Sequence, residues 1–191
     1  MRQFFASIII LLVMVNPVQA DIFNIQLGSD SGRFLYATEV SSGRYGPIDM
    51  DLGFYFDDQD DYLGHIGLLV RNDTLNNPFV ISVGTRLYYG DVGNAPTQTN
   101  ADVGALAIGG EVLFIPDNLG GLGFGFHYYI APSIVSFLDA EGFTEYGVRL
   151  DYAVTPQASI YIGYHKIEAD LDNGTDIEID SSSFIGLSLR F

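Results

Sequence analysis

The stretch Phe184-Ile-Gly-Leu-Ser-Leu-Arg-Phe191 decides how the rest of the chain is read. Ile185, Leu187, Leu189 and Phe191 are apolar at every second position, with Gly186, Ser188 and Arg190 between them. A strand has a two-residue side-chain period, so this segment has one oily face, one polar face and an aromatic end. Bacterial outer-membrane barrels carry a closing strand of this form, and their assembly machinery reads it. Ile185, Leu187, Leu189 and Phe191 are therefore expected to serve as a C-terminal assembly signal.

The opposite end fits export. Arg2 supplies a short positive region, Phe4 to Val15 is almost unbroken apolar sequence, and Asn16-Pro17 would break a helix. Ala20 offers a small residue before a cut, so residues 1–20 read as a signal peptide and 21–191 as the mature domain. A membrane-anchor helix is the rival reading, but a span needs roughly 20 apolar residues and this run is much shorter. The chain has no cysteine, which rules out a lipoprotein anchor and leaves no disulfide to consider.

Removing the first 20 of 191 residues leaves enough chain for one domain. Gly (22), Phe (14) and Tyr (12) are plentiful and charged residues make up only 17 %. No mature stretch is apolar for long enough to form a transmembrane helix. Backbone polar groups cannot stay unpaired in lipid, so a helix-free membrane protein must close its sheet. The net charge of −16 makes a nucleic-acid partner untenable.

Ten alternating segments can be read between turn signals, starting near Ile22, Arg33, Asp49, Tyr62, Phe79, Ala105, Leu122, Glu145, Ser159 and Phe184. In the fifth, Phe79, Ile81, Val83, Leu87 and Tyr89 alternate with Ser82, Gly84, Arg86 and Tyr88; in the seventh, Leu122, Phe124, Phe126 and Tyr128 alternate with Gly123, Gly125 and His127. The first two segments are short, so eight strands remain an alternative to ten. Connections at Thr155-Pro156-Gln157 and Pro116 to Gly120 are tight, as periplasmic turns should be. Those at 91–102, 131–140 and 171–181 are expected to be long outer loops. Tyr62, Tyr89, Tyr152 and Tyr164 are expected to form interfacial girdles.

Charges fall on the polar faces of these segments. Arg33, Arg71, Arg86, Arg149 and Arg190 share them with Glu39, Asp49, Asp51, Glu111, Glu145 and Asp151. An Arg at mid-bilayer costs roughly 2–4 kcal/mol, so a one-residue register slip would cost on the order of 10 kcal/mol. The expectation is a lumen network in which these groups pair across a filled interior. The alternative is a charge-selective pore. Gly123, Gly125, Gly147 and Gly163 would leave a narrow channel or make room for Tyr88, Tyr129 and Tyr161. The remaining acids crowd Asp57 to Asp61 and Asp170 to Asp180, read as solvated surface, with cation bridging to lipopolysaccharide as the alternative. The second run does not match a calcium-loop spacing.

Several stretches resemble the YfaZ family of small outer-membrane proteins: Gly84-Thr-Arg-Leu-Tyr-Tyr-Gly-Asp91, Ala105-Leu-Ala-Ile-Gly-Gly-Glu-Val112, Tyr128-Tyr-Ile-Ala-Pro-Ser133, Glu145-Tyr-Gly-Val-Arg-Leu-Asp-Tyr152 and Ala158-Ser-Ile-Tyr-Ile-Gly-Tyr164. The resemblance implies a barrel in a Gram-negative outer membrane and brings no catalytic residue with it. His127, His165, Ser133, Ser136 and Asp139 are the candidates for a lipid-active hydrolase, but no spacing fixes a Ser–His hydrogen bond. His65, His127 and His165 lie on separate segments without paired-ligand spacing, so no metal or cofactor is expected. The reading is an all-β, antiparallel transmembrane barrel, a monomer partnered by outer-membrane lipid, lipopolysaccharide and the barrel-assembly machinery. A structural role or minor passive pore is expected, with surface binding or lipid modification as the alternatives.

Overall fold

A computed structural model describes residues 21–191, apart from Tyr45, 73–77 and 95–98. The signal-peptide segment lies outside the described residues. The chain forms β1 (Ile22–Leu27), β2 (Ser31–Gly43), β3 (Gly46–Asp57), β4 (Tyr62–Arg71), β5 (Phe79–Asn94) and β6 (Thr99–Phe114). There follow β7 (Leu122–Ala131), β8 (Ser136–Leu138), β9 (Ala140–Thr155), β10 (Ala158–Leu171) and β11 (Asp176–Arg190). Single 3-10 turns at Asp117–Leu119 and Ser133–Val135 interrupt the pattern.

Every ladder is antiparallel, and the sheet closes. Around the ring each strand pairs with the next, except that β7 pairs β9 directly and β11 returns to β1. Ten strands thus make the wall, and the eight-strand alternative is discarded because β1 and β2 are separate and both fully paired. The short β8 continues the line of β7 and pairs Val103–Ala105 of β6. Asp21 and Phe191 exchange main-chain hydrogen bonds of 2.8 and 3.0 Å, extending the seam beyond Ile22 and Arg190.

The exterior carries the apolar alternate residues: Ile66, Leu68 and Val70 on β4, Ile81, Val83 and Leu87 on β5, Ile160 and Ile162 on β10, and Ile185 and Leu187 on β11. Among the described residues nothing covers them, and lipid is the medium in which such a surface is stable. Tyr62, Tyr89 and Tyr164 rim the belt at one end and Tyr152, Phe79 and Phe114 at the other, the last two stacked at 4.6 Å. This is an outer-membrane barrel.

The expected long outer loops need correcting. β5 runs on to Asn94 and β6 starts at Thr99, while β10 reaches Leu171 and β11 starts at Asp176, so most of 91–102 and 171–181 is strand. Among the described residues of these stretches, 172–175 is a tight turn and 132–139 keeps a loop-like path that itself contains β8. The physical reason is an inversion of the pattern. Beyond Tyr164, β10 points Lys166, Glu168 and Asp170 outward and buries Ile167, Ala169 and Leu171. Once the strands leave lipid, the polar side faces out and the oily side faces in. The protruding wall has an apolar core of its own, built from Val92, Ala101, Val103, Phe143, Ile167, Ala169, Ile177 and Ile179.

Candidate functional site: the barrel lumen

Below this apolar core the lumen is charged. Arg86 of β5 donates through Nε to Asp51 Oδ2 of β3 at 2.7 Å, with Nη2 in ion-pair contact with the same oxygen at 2.7 Å, and donates through Nη2 to Glu111 Oε1 of β6 at 2.5 Å. His65 Nε2 of β4 lies 3.0 Å from the same Asp51 oxygen. The guanidinium of Arg86 sits 4.0 Å from the centroid of the Tyr129 ring, a cation–π arrangement from β7.

A second cluster centres on Glu145 of β9, which is completely buried. Arg33 Nη2 of β2 forms an ion pair with its Oε1 at 2.7 Å, and the Tyr88 hydroxyl donates to its Oε2 at 2.5 Å. His127 Nε2 is 3.4 Å away and Arg86 Nη1 4.0 Å, which joins the two clusters. The connected set ties β2, β3, β4, β5, β6, β7 and β9 together across the interior. Arg33 and Arg86 face Asp51, Glu111 and Glu145, two cations against three carboxylates, with His65 beside Asp51 and His127 beside Glu145.

The other sequence-predicted lumen groups stand nearer the inner end. Arg71 contacts Asp49 at 2.7 Å and Glu39 at 3.5 Å. Arg149 reaches Asp151 at 3.1 Å and lies over Tyr161 at 5.1 Å. Arg190 is exposed at the inner rim. Exposure grades along the axis: the Arg33 and Arg86 side chains are 5 % and 6 % exposed, whereas those of Arg71 and Glu111 are 36 % and 43 %. Ile185, Leu187 and Leu189 face outward beside Leu27, Ile25 and Phe23 of β1.

The lumen glycines serve side chains other than those expected. A Cβ on Gly147 would strike the His127 ring, one on Gly125 the Arg149 chain, and one on Gly163 the Phe184 ring. Tyr161 lies over Gly186, and Tyr129 over Gly109. Gly53 and Gly67, which the sequence reading passed over, make room for the His65 ring and for Asp51 with Arg86. These glycines hold space that neighbouring side chains occupy.

Sequence reasoning missed two features. Phe143 packs against Tyr88 with ring centroids 4.4 Å apart, on the outer side of the charged layer. Asp180, read as a surface acid, is buried and accepts from His165 Nε2 at 2.5 Å and from the Ser31 hydroxyl at 3.2 Å. The only signal for the second was that Asp180 falls on the inward parity of β11.

The candidate hydrolase groups are not brought together. The Ser136 hydroxyl donates to the carbonyls of Ala131 and Pro132, while His127 and His165 face carboxylates inside the wall. Among the described residues no set of three or more His, Asp or Glu side chains is arranged to hold a metal ion. At the outer rim, Asp57 accepts main-chain hydrogens from Gln59 and Asp61, and Asp61 accepts from Gly93 at 2.6 Å. Burial, helped by the neighbouring charges of Asp57, Asp91 and Asp60, raises the Asp61 carboxyl above its ordinary value, against the pull of the Gly93 N–H.

The family model described as YfaZ precursor matches residues 1–191. No curated protein matches the chain. Among solved structures, the outer membrane channel DcaP of Acinetobacter baumannii is similar at 12 % identity and a TM-score of 0.41 over 90 % of this chain; the match spans 62 % of the DcaP chain. The NanC porin is similar at 12 % identity and a TM-score of 0.46, covering 91 % of this chain and all of that one. Neisserial surface protein A is similar at 18 % identity and a TM-score of 0.32, covering 91 % and 95 %.

Proposed function

We propose that this chain, which belongs to the YfaZ family, is a closed, non-conducting outer-membrane barrel whose role is structural. The observation that carries this reading is the seal across its outer half. Tyr88, Tyr129, Val92, Val103, Ala105 and Phe143 are buried almost completely at the point where any solute from outside would have to enter. A layer of closely packed, largely apolar side chains disfavours a hydrated path, and a dry constriction blocks ions. Beneath it, Arg86 and Arg33 are held by carboxylates instead of being offered to a passing solute. The exposed lumen charges, Arg71 and Glu111, belong to the inner half, so water enters from the periplasmic side and stops at the seal.

In this reading the barrel is a monomer in lipid and lipopolysaccharide. The outward row of Ile185, Leu187, Leu189 and Phe191 is its mark for the barrel-assembly machinery. The purified full chain in a planar bilayer tests the reading. No conductance steps are expected from the wild type, and steps should appear in a Tyr88→Ala/Phe143→Ala variant that still folds. Steps from the wild type itself would overturn the proposal in favour of a passive pore.

A further inference from the structure

The outer part of β11 has an unused side. Along its length β11 pairs with β10, but β1 covers only Ile185 to Arg190. β1 ends early because Gly28 turns back, its N–H donating to the Ser31 carbonyl at 2.8 Å. From Asp176 to Phe184, β11 therefore has no ladder partner on that side among the described residues.

The register says which main-chain groups face the gap. Phe191 exchanges both of its main-chain hydrogen bonds with Asp21, and the pairs Leu189–Phe23, Leu187–Ile25 and Ile185–Leu27 continue the same phase. Alternate residues of an antiparallel strand point their N–H and C=O to the same neighbour. Ser183 and Ser181, both exposed, thus present theirs to the open edge. Further out, the Ile179 carbonyl faces the same way and accepts from the Tyr55 hydroxyl at 3.3 Å.

Beside this edge lies a cleft of about 230 Å³, lined by Ser29 to Ser31, Tyr55, Asp57 to Gln59 and Glu178 to Ser182. Among the described residues five carboxylates line it, and no Lys or Arg does. Asp57 is tied to its own turn, Asp180 to His165, and Glu178 to Lys166, which leaves Asp30 and Asp58 to meet an incoming cation. Sheet edges are usually blunted by charges, Pro or bulges. Here the bulge at Ile179 and the charges, all of them acidic, lie outward of Ser181, while Ser181 to Ser183 carry no charge and no Pro.

We propose that this edge takes an extended, Lys- or Arg-bearing polypeptide segment as an added antiparallel strand. Its main chain pairs with Ser181 and Ser183, and one basic side chain reaches Asp30 and Asp58 in the cleft. Main-chain pairing recognises a strand, and the acidic lining selects its charge.

The test measures binding of a short labelled peptide, alternating lysine and valine, to the full chain in a neutral detergent. The same peptide N-methylated at alternate residues is one comparison, and its glutamate-for-lysine counterpart is another. Both should bind at least about tenfold more weakly, as the loss of one or two net hydrogen bonds or of charge complementarity requires. A Ser183→Pro variant removes the edge-facing N–H while sparing the β10 ladder, and should weaken the lysine peptide to a similar degree. If that variant does not fold, the N-methylated peptide carries the same arm. Equal binding of the N-methylated peptide would overturn strand addition, and equal binding of the glutamate peptide would overturn the charge selection. No binding of the lysine peptide would overturn both.

Discussion

Glu145 offers the sharpest perturbation of the lumen. Its carboxylate is completely buried, with Arg33 at 2.7 Å, Tyr88 at 2.5 Å and His127 at 3.4 Å. Glu145→Leu leaves the Arg33 guanidinium buried without its carboxylate, which costs about 3–5 kcal/mol. It also strips the Tyr88 hydroxyl of its acceptor, adding about 1–3 kcal/mol. Glu145→Gln keeps an acceptor for Tyr88 and should lose only the first part. Arg33→Met together with Glu145→Leu removes both charges, so the double variant should recover most of the first cost and leave the Tyr88 share. The expected coupling between the two sites is therefore at least about 2 kcal/mol, read from reversible urea unfolding in lipid vesicles. If the double variant is destabilised by the sum of the singles to within about 0.5 kcal/mol, the two groups are independent and the pairing argument fails.

Three further outcomes follow from other parts of the wall. Leu68→Arg puts a cation on the lipid face near mid-bilayer and should cost about 2–4 kcal/mol in the same unfolding assay, whereas a neutral result would mean that Leu68 does not face acyl chains. Gly53→Val would drive a side chain into the His65 ring and should cost about 1–3 kcal/mol; unchanged stability would show that the ring sits elsewhere. The Asp61 carboxyl is raised in the folded chain, so the fold holds its proton more tightly than the unfolded chain does. That contribution is complete below the ordinary carboxylate range and is lost as pH rises through the raised value. Asp61→Asn keeps an acceptor for Gly93 and should stabilise the chain at neutral pH, with the gain disappearing in acid; a gain that persists in acid would exclude the charge as its cause.

Legibility tracked the medium around each residue. Within lipid, each strand must put its apolar residues outward, so Leu87 and Arg86 were assigned to opposite faces from alternation alone. Outside lipid the same strands invert, and alternation gives no sign of where that happens. Ile167, Ala169, Leu171 and Ile177 then look like parts of an acidic loop, although they build the outer core. Partners across the lumen were a different problem. Parity places Glu145 and Arg33 inside, but which side chains meet depends on how far the strands stagger when the ring closes. Hence Gly147, read with Gly123, Gly125 and Gly163 as a channel or as room for Tyr88, Tyr129 and Tyr161, lies against His127, and the Tyr88–Phe143 contact had no counterpart in the sequence reading. The role of Asp180 was hidden in the same way, since its partner His165 is on the neighbouring strand.

Spin labels placed singly from Ile81 to Leu87 on β5, in reconstituted lipid, address the closed, inward-charged sheet most directly. Oxygen dissolved in the acyl chains should reach labels at Ile81, Val83, Thr85 and Leu87, and should miss those at Ser82, Gly84 and Arg86, giving a strict two-residue alternation. Labels at Arg86 as open to oxygen as those at Leu87, or all positions equally open to a water-soluble relaxant, would contradict the barrel described here.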